Sequence, residues 1–145
     1  MRIFNRTLIF DFGSSNTVVC DENGEVIFDE GTVIVYYADG YVEIGERAYI
    51  LREGEREWLK PIVNGYVNNY DAFEDYVKRL VKKLVLFPRL CLKTVVVAIP
   101  NDLTENECAS ECGSAFIAPF RKVGIKDIRI IHRSLAVYLG SKSMD

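Results

Sequence analysis

The 145-residue chain has one histidine, His132, and four cysteines, none of them in a C-x-x-C pair. Cys108 and Cys112 stand one helical turn apart, but two ligands are too few for a structural zinc site. In a reducing compartment Cys20, Cys91, Cys108 and Cys112 therefore read as free, small core residues. A lone histidine at a strand end reads as structural, and no Ser or Cys has a base and an orienting partner marked in the sequence. Positive charge is not in excess: 18 Lys and Arg face 21 Asp and Glu, for a net charge of −3. That argues against strong nonspecific nucleic-acid binding through the whole surface, though not against a local patch. No apolar run reaches the ~18 residues needed to span a bilayer. Met1–Arg6 is too short and too polar for a signal peptide, so the expected address is cytoplasmic.

Apolar residues make up 49% of the chain and charged residues 27%, the balance of a globular protein. Strands are expected at Thr7–Phe12, Asn16–Asp21 and Glu25–Phe28, joined so tightly that they must form an antiparallel meander. Thr32–Tyr37 and Tyr41–Ile44 flank Asp39-Gly40 and read as a second hairpin. Gly45–Leu51 reads as a short helix, Arg52–Trp58 as a charged surface loop, and Lys60–Val67 as a connector. Asp71–Leu84 is the clearest helix, with Phe73, Val77, Leu80, Val81 and Leu84 at helical spacing. Its Lys78, Arg79, Lys82 and Lys83 suit a solvated face and the C-terminal dipole, and Pro88 is expected to end it.

Thr94–Ile99 lacks alternation, as in a strand buried on both faces of a parallel sheet. Thr104-Glu105-Asn106-Glu107 has the form of a capping box opening a helix to about Val123. Pro119 is expected to kink or break that helix, and Gly124 to cap it. Asp127–His132 is a last strand, with Ser134–Gly140 a final helical turn or two. Three antiparallel strands followed by helix-linked parallel strands make a ribonuclease H-like α/β sheet. In that sheet the Asp11–Asn16 turn and the end of Ile99 share one edge.

One stretch carries chemistry. Leu8–Cys20 is two apolar runs around Asp11-Phe12-Gly13-Ser14-Ser15-Asn16. Gly13 allows close backbone approach to a ligand. Ser14, Ser15, Asn16 and Thr17 offer donors for phosphate oxygens. Asp11, at a strand end, can hold a metal ion through water. On spacing alone the stretch reads as a plain β-hairpin turn, since a single Gly-Ser turn is a weak signal.

Four stretches in register resemble the actin, sugar kinase and heat-shock ATPase superfamily, and within it the bacterial rod-shape-determining MreB family. Phe10–Thr17 is similar to the family's first phosphate loop, Asp-Leu-Gly-Thr-Ala-Asn-Thr. Val42–Ala48 is similar to its V-G-x-x-A stretch. Lys60–Tyr70 is similar to its Arg-Pro-x-x-Asp-Gly-Val-Ile-Ala-Asp-Phe segment, and Val97–Glu107 to its Val-Pro-Ser-Gly-Val-Thr-Glu-Val-Glu. The resemblance runs from about Thr7 to Gly140 and matches the first half of a two-halved, ATP-binding fold. It implies an actin-like domain over 1–145, with a core of 1–29 and 59–145 and a small β-rich insert at 30–58.

The resemblance implies phosphate binding by Asp11, Gly13, Ser14, Ser15, Asn16 and Thr17, with ATP and Mg2+ as cofactors. It also implies a cytoskeletal, cell-shape role through self-association or contact with a full-length MreB-like filament. No nucleic-acid partner is implied. Peripheral membrane contact would come through the filament system, at the inner face of the cell membrane. Arg133 stands where the family places a water-positioning glutamate, and the second phosphate loop is absent. No catalytic residue is therefore expected, nor ATP hydrolysis by the chain itself. An arginine is donor-only and can at best pair with a phosphate. Two other readings stay open: a weak ATP-binding module, and a degenerate copy without activity of its own. A remote third is a two-metal nuclease using Asp11 and Asp102 with Glu74 or Asp75.

Overall fold

The computed structural model describes residues 4–50, 56–100 and 111–133. Its main sheet holds β1 (Arg6–Phe12), β2 (Asn16–Cys20), β3 (Val26–Gly31), β9 (Leu92–Ile99) and β10 (Asp127–His132), in the order β10-β9-β1-β2-β3. β1, β2 and β3 pair antiparallel, while β9 and β10 run parallel to β1. This is the expected ribonuclease H-like arrangement, and β10 has the bounds read from the sequence. The register sets Asp11 beside Ala98, and Ala98 beside Ile131, so three parallel strands end along one edge.

Period-two alternation decides what each face of β1 carries. Leu8, Phe10 and Phe12 are fully buried, while Ile9 and Asp11 on the other face are partly exposed. The inward side is roofed by α1 (Tyr70–Leu84) and α3 (Glu111–Lys122). Phe12 meets Phe73 of α1 edge-on at 4.9 Å between centroids, and Phe10 meets Phe120 of α3 at 4.8 Å. α1 buries Ala72, Phe73, Tyr76, Val77, Leu80 and Val81, one helical stripe. Its start is fixed by Asn69, whose side chain accepts from the Ala72 N–H at 3.0 Å.

A second, three-stranded sheet holds β4 (Ile34–Tyr37), β5 (Val42–Ile44) and β6 (Arg56–Leu59), in the order β5-β4-β6. A 3-10 turn, Gly45–Tyr49, follows β5 where a short helix is expected. β6 corrects the reading of 52–58 as a loop. Arg56–Leu59 lies on an edge, where backbone pairing to β4 tolerates charged residues. The buried Glu43 accepts from the Tyr41 hydroxyl and lies 3.6 Å from Arg79 of α1. The Tyr36 hydroxyl donates to Asp75 of α1 at 2.6 Å, so two polar contacts tie this sheet to the helix.

Two more expectations are corrected. Lys60–Val67 is no plain connector, for β7 (Ile62–Val63) and β8 (Tyr66–Val67) pair around Asn64-Gly65. Both turn residues have positive φ, 53° and 84°, as a two-residue type I′ turn demands. Pro88 does not end α1, which stops at Leu84. Pro88 instead opens the short α2 (Pro88–Cys91), at a first-turn position where no N–H is needed.

Pro119 lies inside α3 without breaking it. It sits in the last turn between the buried Phe116 and Phe120, so core packing offsets one lost backbone bond. Gly124, at φ 96°, closes the helix as expected. Ile125 N–H donates to the Phe120 carbonyl and Gly124 N–H to that of Arg121, both at 3.0 Å. Cys20 and Cys91 are free. The expected capping box at Thr104 and final turn at Ser134–Gly140 lie outside the described residues.

Asn69→Ala is expected to lower stability by about 1 kcal/mol, and the melting temperature by about 3–4 °C. Asn68→Ala, one position earlier and exposed, is expected to change neither. Thermal melts of the two variants check the cap.

Candidate functional site

The site lies where β1 turns into β2. Gly13, Ser14 and Ser15 form the bend, closed by the Gly13 N–H on the Asn16 carbonyl at 2.9 Å. A Cβ at Gly13 would lie 2.7 Å from that carbonyl oxygen, so a side chain there would force the bend open. The bend is held from two further sides. Thr32 N–H donates to the Ser15 carbonyl at 2.9 Å, and Gly65 N–H donates to Ser14 Oγ at 2.7 Å. Gly65 belongs to the Asn64-Gly65 turn, so the β7–β8 hairpin rests on the loop. This contact is absent from the sequence reading, although an Asn-Gly pair between apolar pairs is a signal for the turn itself.

The six residues expected to meet phosphate divide by environment. Asp11, Gly13 and Ser14 are partly exposed, and Ser15 and Asn16 are exposed. Thr17 is fully buried, and its hydroxyl shares a 2.8 Å hydrogen bond with that of Thr32. Asn16 donates from Nδ2 to Asp29 Oδ1 at 3.0 Å. Under this layer the Tyr76 hydroxyl donates to the Gly31 carbonyl at 3.3 Å. Burial pushes the Tyr76 phenol well above its usual range, with the loop-side threonines acting against that rise. Tyr76 is thus a neutral donor under the loop. Cys20 at the far end of β2 is pushed up too, by burial and then by Asp21 and Asp11.

Arg133 reaches this loop from the end of β10. Its Nε donates to Asp11 Oδ1 at 2.9 Å, and its Nη2 to the Phe12 carbonyl at 3.1 Å. The two side chains keep 32% and 44% of their surface exposed, so the pair is open to solvent. A phosphate is the partner that sequence reading offers Arg133; in the folded chain its partner is Asp11. The contact joins positions 122 apart, brought level by the parallel register of β1, β9 and β10.

Among the described carboxylates of the nuclease reading, Glu74 and Asp75 are engaged by other side chains. Glu74 is bound by Lys122 of α3 at 2.6 Å, and Asp75 by Tyr36. Asp102 lies outside the described residues. Among the described residues no three His, Cys, Asp or Glu stand together as a metal set.

A family model described as MreB/Mbl protein matches residues 5–143, and the chain belongs to that family. No curated protein matches it. Among solved structures it is similar to MreB5 of Spiroplasma citri bound to ADP. That match has a TM-score of 0.68 and 19% identity over 88% of this chain and 38% of that one. The AMPPNP-bound form of MreB5 gives a TM-score of 0.66 at 18% identity, with 88% and 38% covered. MamK, solved as a double helical filament, gives 0.65 at 16% identity, with 87% and 41% covered. At such identities the likeness establishes the fold, which is actin-like. The chain spans about two-fifths of the length of these structures.

Thr17→Val is expected to cost about 1–2 kcal/mol, because it leaves the Thr32 hydroxyl buried without its partner. The double variant Thr17→Val/Thr32→Val is expected to recover part of that loss, since the Tyr76 hydroxyl keeps the Gly31 carbonyl as a partner. Denaturant titration of the three proteins checks that the pair shapes the loop.

Proposed function

We propose that this chain is an MreB-like, actin-like cytoskeletal protein acting in bacterial cell-shape determination, by self-association or by binding a full-length MreB-like filament. The observation that carries the proposal is membership of the MreB/Mbl family over nearly the whole chain. The MamK neighbour, solved as a filament, supports assembly as the mode of action.

Residues 11–17 are the proposed phosphate loop. Asp11, Gly13, Ser14 and Ser15 line its open side, while Asn16 and Thr17 hold its shape through Asp29 and Thr32. ATP or ADP is the expected ligand class, as in the nucleotide-bound MreB5 neighbours. No hydrolysis by the chain itself is expected. The water-positioning place is held by Arg133, which has no lone pair to accept a proton.

The proposed location is the cytoplasm, at the inner membrane face. No helix among the described residues is long and apolar enough to cross a membrane. Leu86, Phe87 and Leu90 are exposed by 83%, 61% and 66%. They line a concavity of about 820 Å³ shared with Lys78, Lys82, Arg89 and the Lys122–Glu74 pair. Apolar side chains ringed by cations suit the boundary between acyl chains and anionic headgroups.

Co-pelleting with a full-length MreB protein tests the function. The chain is expected to sediment with the filaments and to change their amount or length. Filaments unchanged in both respects, with the chain left in the supernatant, would contradict it. Flotation with anionic vesicles tests the location: wild type is expected to float, and Leu86→Ser/Phe87→Ser to remain at the bottom.

A further inference from the structure

We infer that Arg133 takes the place of a divalent cation at the 11–17 loop, so that this chain takes the polyphosphate of a nucleotide without a metal ion. The inference rests on the reading of residues 11–17 as a phosphate loop. A carboxylate beside a phosphate site repels the incoming anion, and a cation has to stand between them. A hydrated divalent ion would do this by binding Asp11 through water. Here the place is held by a side chain. Arg133 Nε is 2.9 Å from Asp11 Oδ1, and Arg133 Nη2 is 3.1 Å from the Phe12 carbonyl oxygen.

A divalent ion does not fit there as the loop stands. It would have to displace a charge-assisted hydrogen bond or sit against a fixed positive group, and both oppose it. The bond to the Phe12 carbonyl also anchors the guanidinium to backbone, so its position does not depend on the Asp11 charge alone. Arginine carries five N–H groups, and these two contacts with described residues use two of them. The planar fork is suited to a phosphate oxygen pair. With Asp11 neutralised by Arg133, the loop donors around Ser14 and Ser15 meet the anion without carboxylate repulsion. The pair keeps enough exposure for a ligand to reach it. A guanidinium stays charged across the accessible pH range and cannot be chelated away. A metal ion held through water is removed by a chelator such as EDTA.

Isothermal titration of the full chain with ATP, at matched ionic strength in EDTA and in Mg2+, tests this. Wild type is expected to bind with dissociation constants equal within about threefold in the two buffers. Arg133→Ala is expected to weaken binding in EDTA by about tenfold or more, with Arg133→Lys between the two. Tripolyphosphate is expected to compete with ATP in EDTA, marking the phosphates as the recognised part. Circular dichroism melts confirm folding of each variant, and the wild-type comparison in two buffers needs no variant at all. Binding of ATP by wild type only in Mg2+ would overturn the inference and leave the phosphate-loop reading standing. No binding in either buffer would overturn both. The co-pelleting result is independent of either outcome.

Discussion

β1 has to bury one face, and its alternation leaves no freedom over which residues go in. Leu8, Phe10 and Phe12 are fully buried against α1 and α3. At about 2 kcal/mol or more for each large apolar side chain buried, this packing fixes the strand. The partly exposed Asp11–Arg133 pair belongs to a class typically worth about 0–1 kcal/mol. Packing therefore places the pair, and the pair does not hold the fold. Once Phe10 and Phe12 point inward, Asp11 must point outward at the strand's last turn. The parallel register of β9 and β10 then delivers Arg133 to the same edge.

The loop that follows is rigid because its own groups, and those of two neighbours, satisfy one another. Gly13 closes the bend, Thr32 holds Ser15, and the Asn64-Gly65 turn holds Ser14. Beneath it the Thr17 and Thr32 hydroxyls hydrogen-bond each other, and Tyr76 donates to the Gly31 carbonyl. A loop built this way presents its donors in one arrangement, which is what anion recognition without large rearrangement requires. Its charge is set by Asp11 and Arg133 together and sums to zero. A neutral, donor-rich loop is suited to holding an anion.

Much of the fold is legible in the sequence because it is local. The bounds of β10, those of β1 and β2 to within one residue, and the stripe on α1 follow from alternation and spacing. The strand order follows from connection lengths. What is not legible depends on partners distant in sequence. Arg56–Leu59 becomes a strand only because β4 offers a free edge. Pro119 stays helical only because Phe116 and Phe120 are seated in the core. Ser14 meets Gly65 across 51 residues, and Arg133 meets Asp11 across 122. Thr17 reads as a ligand donor by residue type, yet the strand's pleat turns its hydroxyl inward to Thr32. The exception is Asn64-Gly65, whose turn is a local signal that the connector reading of Lys60–Val67 passes over.

The Arg133 guanidinium has to be held at Asp11 in solution for the loop to be neutral. Nitrogen-15 NMR of the arginine Nε–H groups measures this directly. One resonance, absent in Arg133→Lys, should show slowed solvent exchange and a shift typical of a carboxylate partner. In Asp11→Asn that resonance should move and exchange faster. An Arg133 signal that exchanges as a free surface arginine in wild type, and is unchanged in Asp11→Asn, would contradict the account.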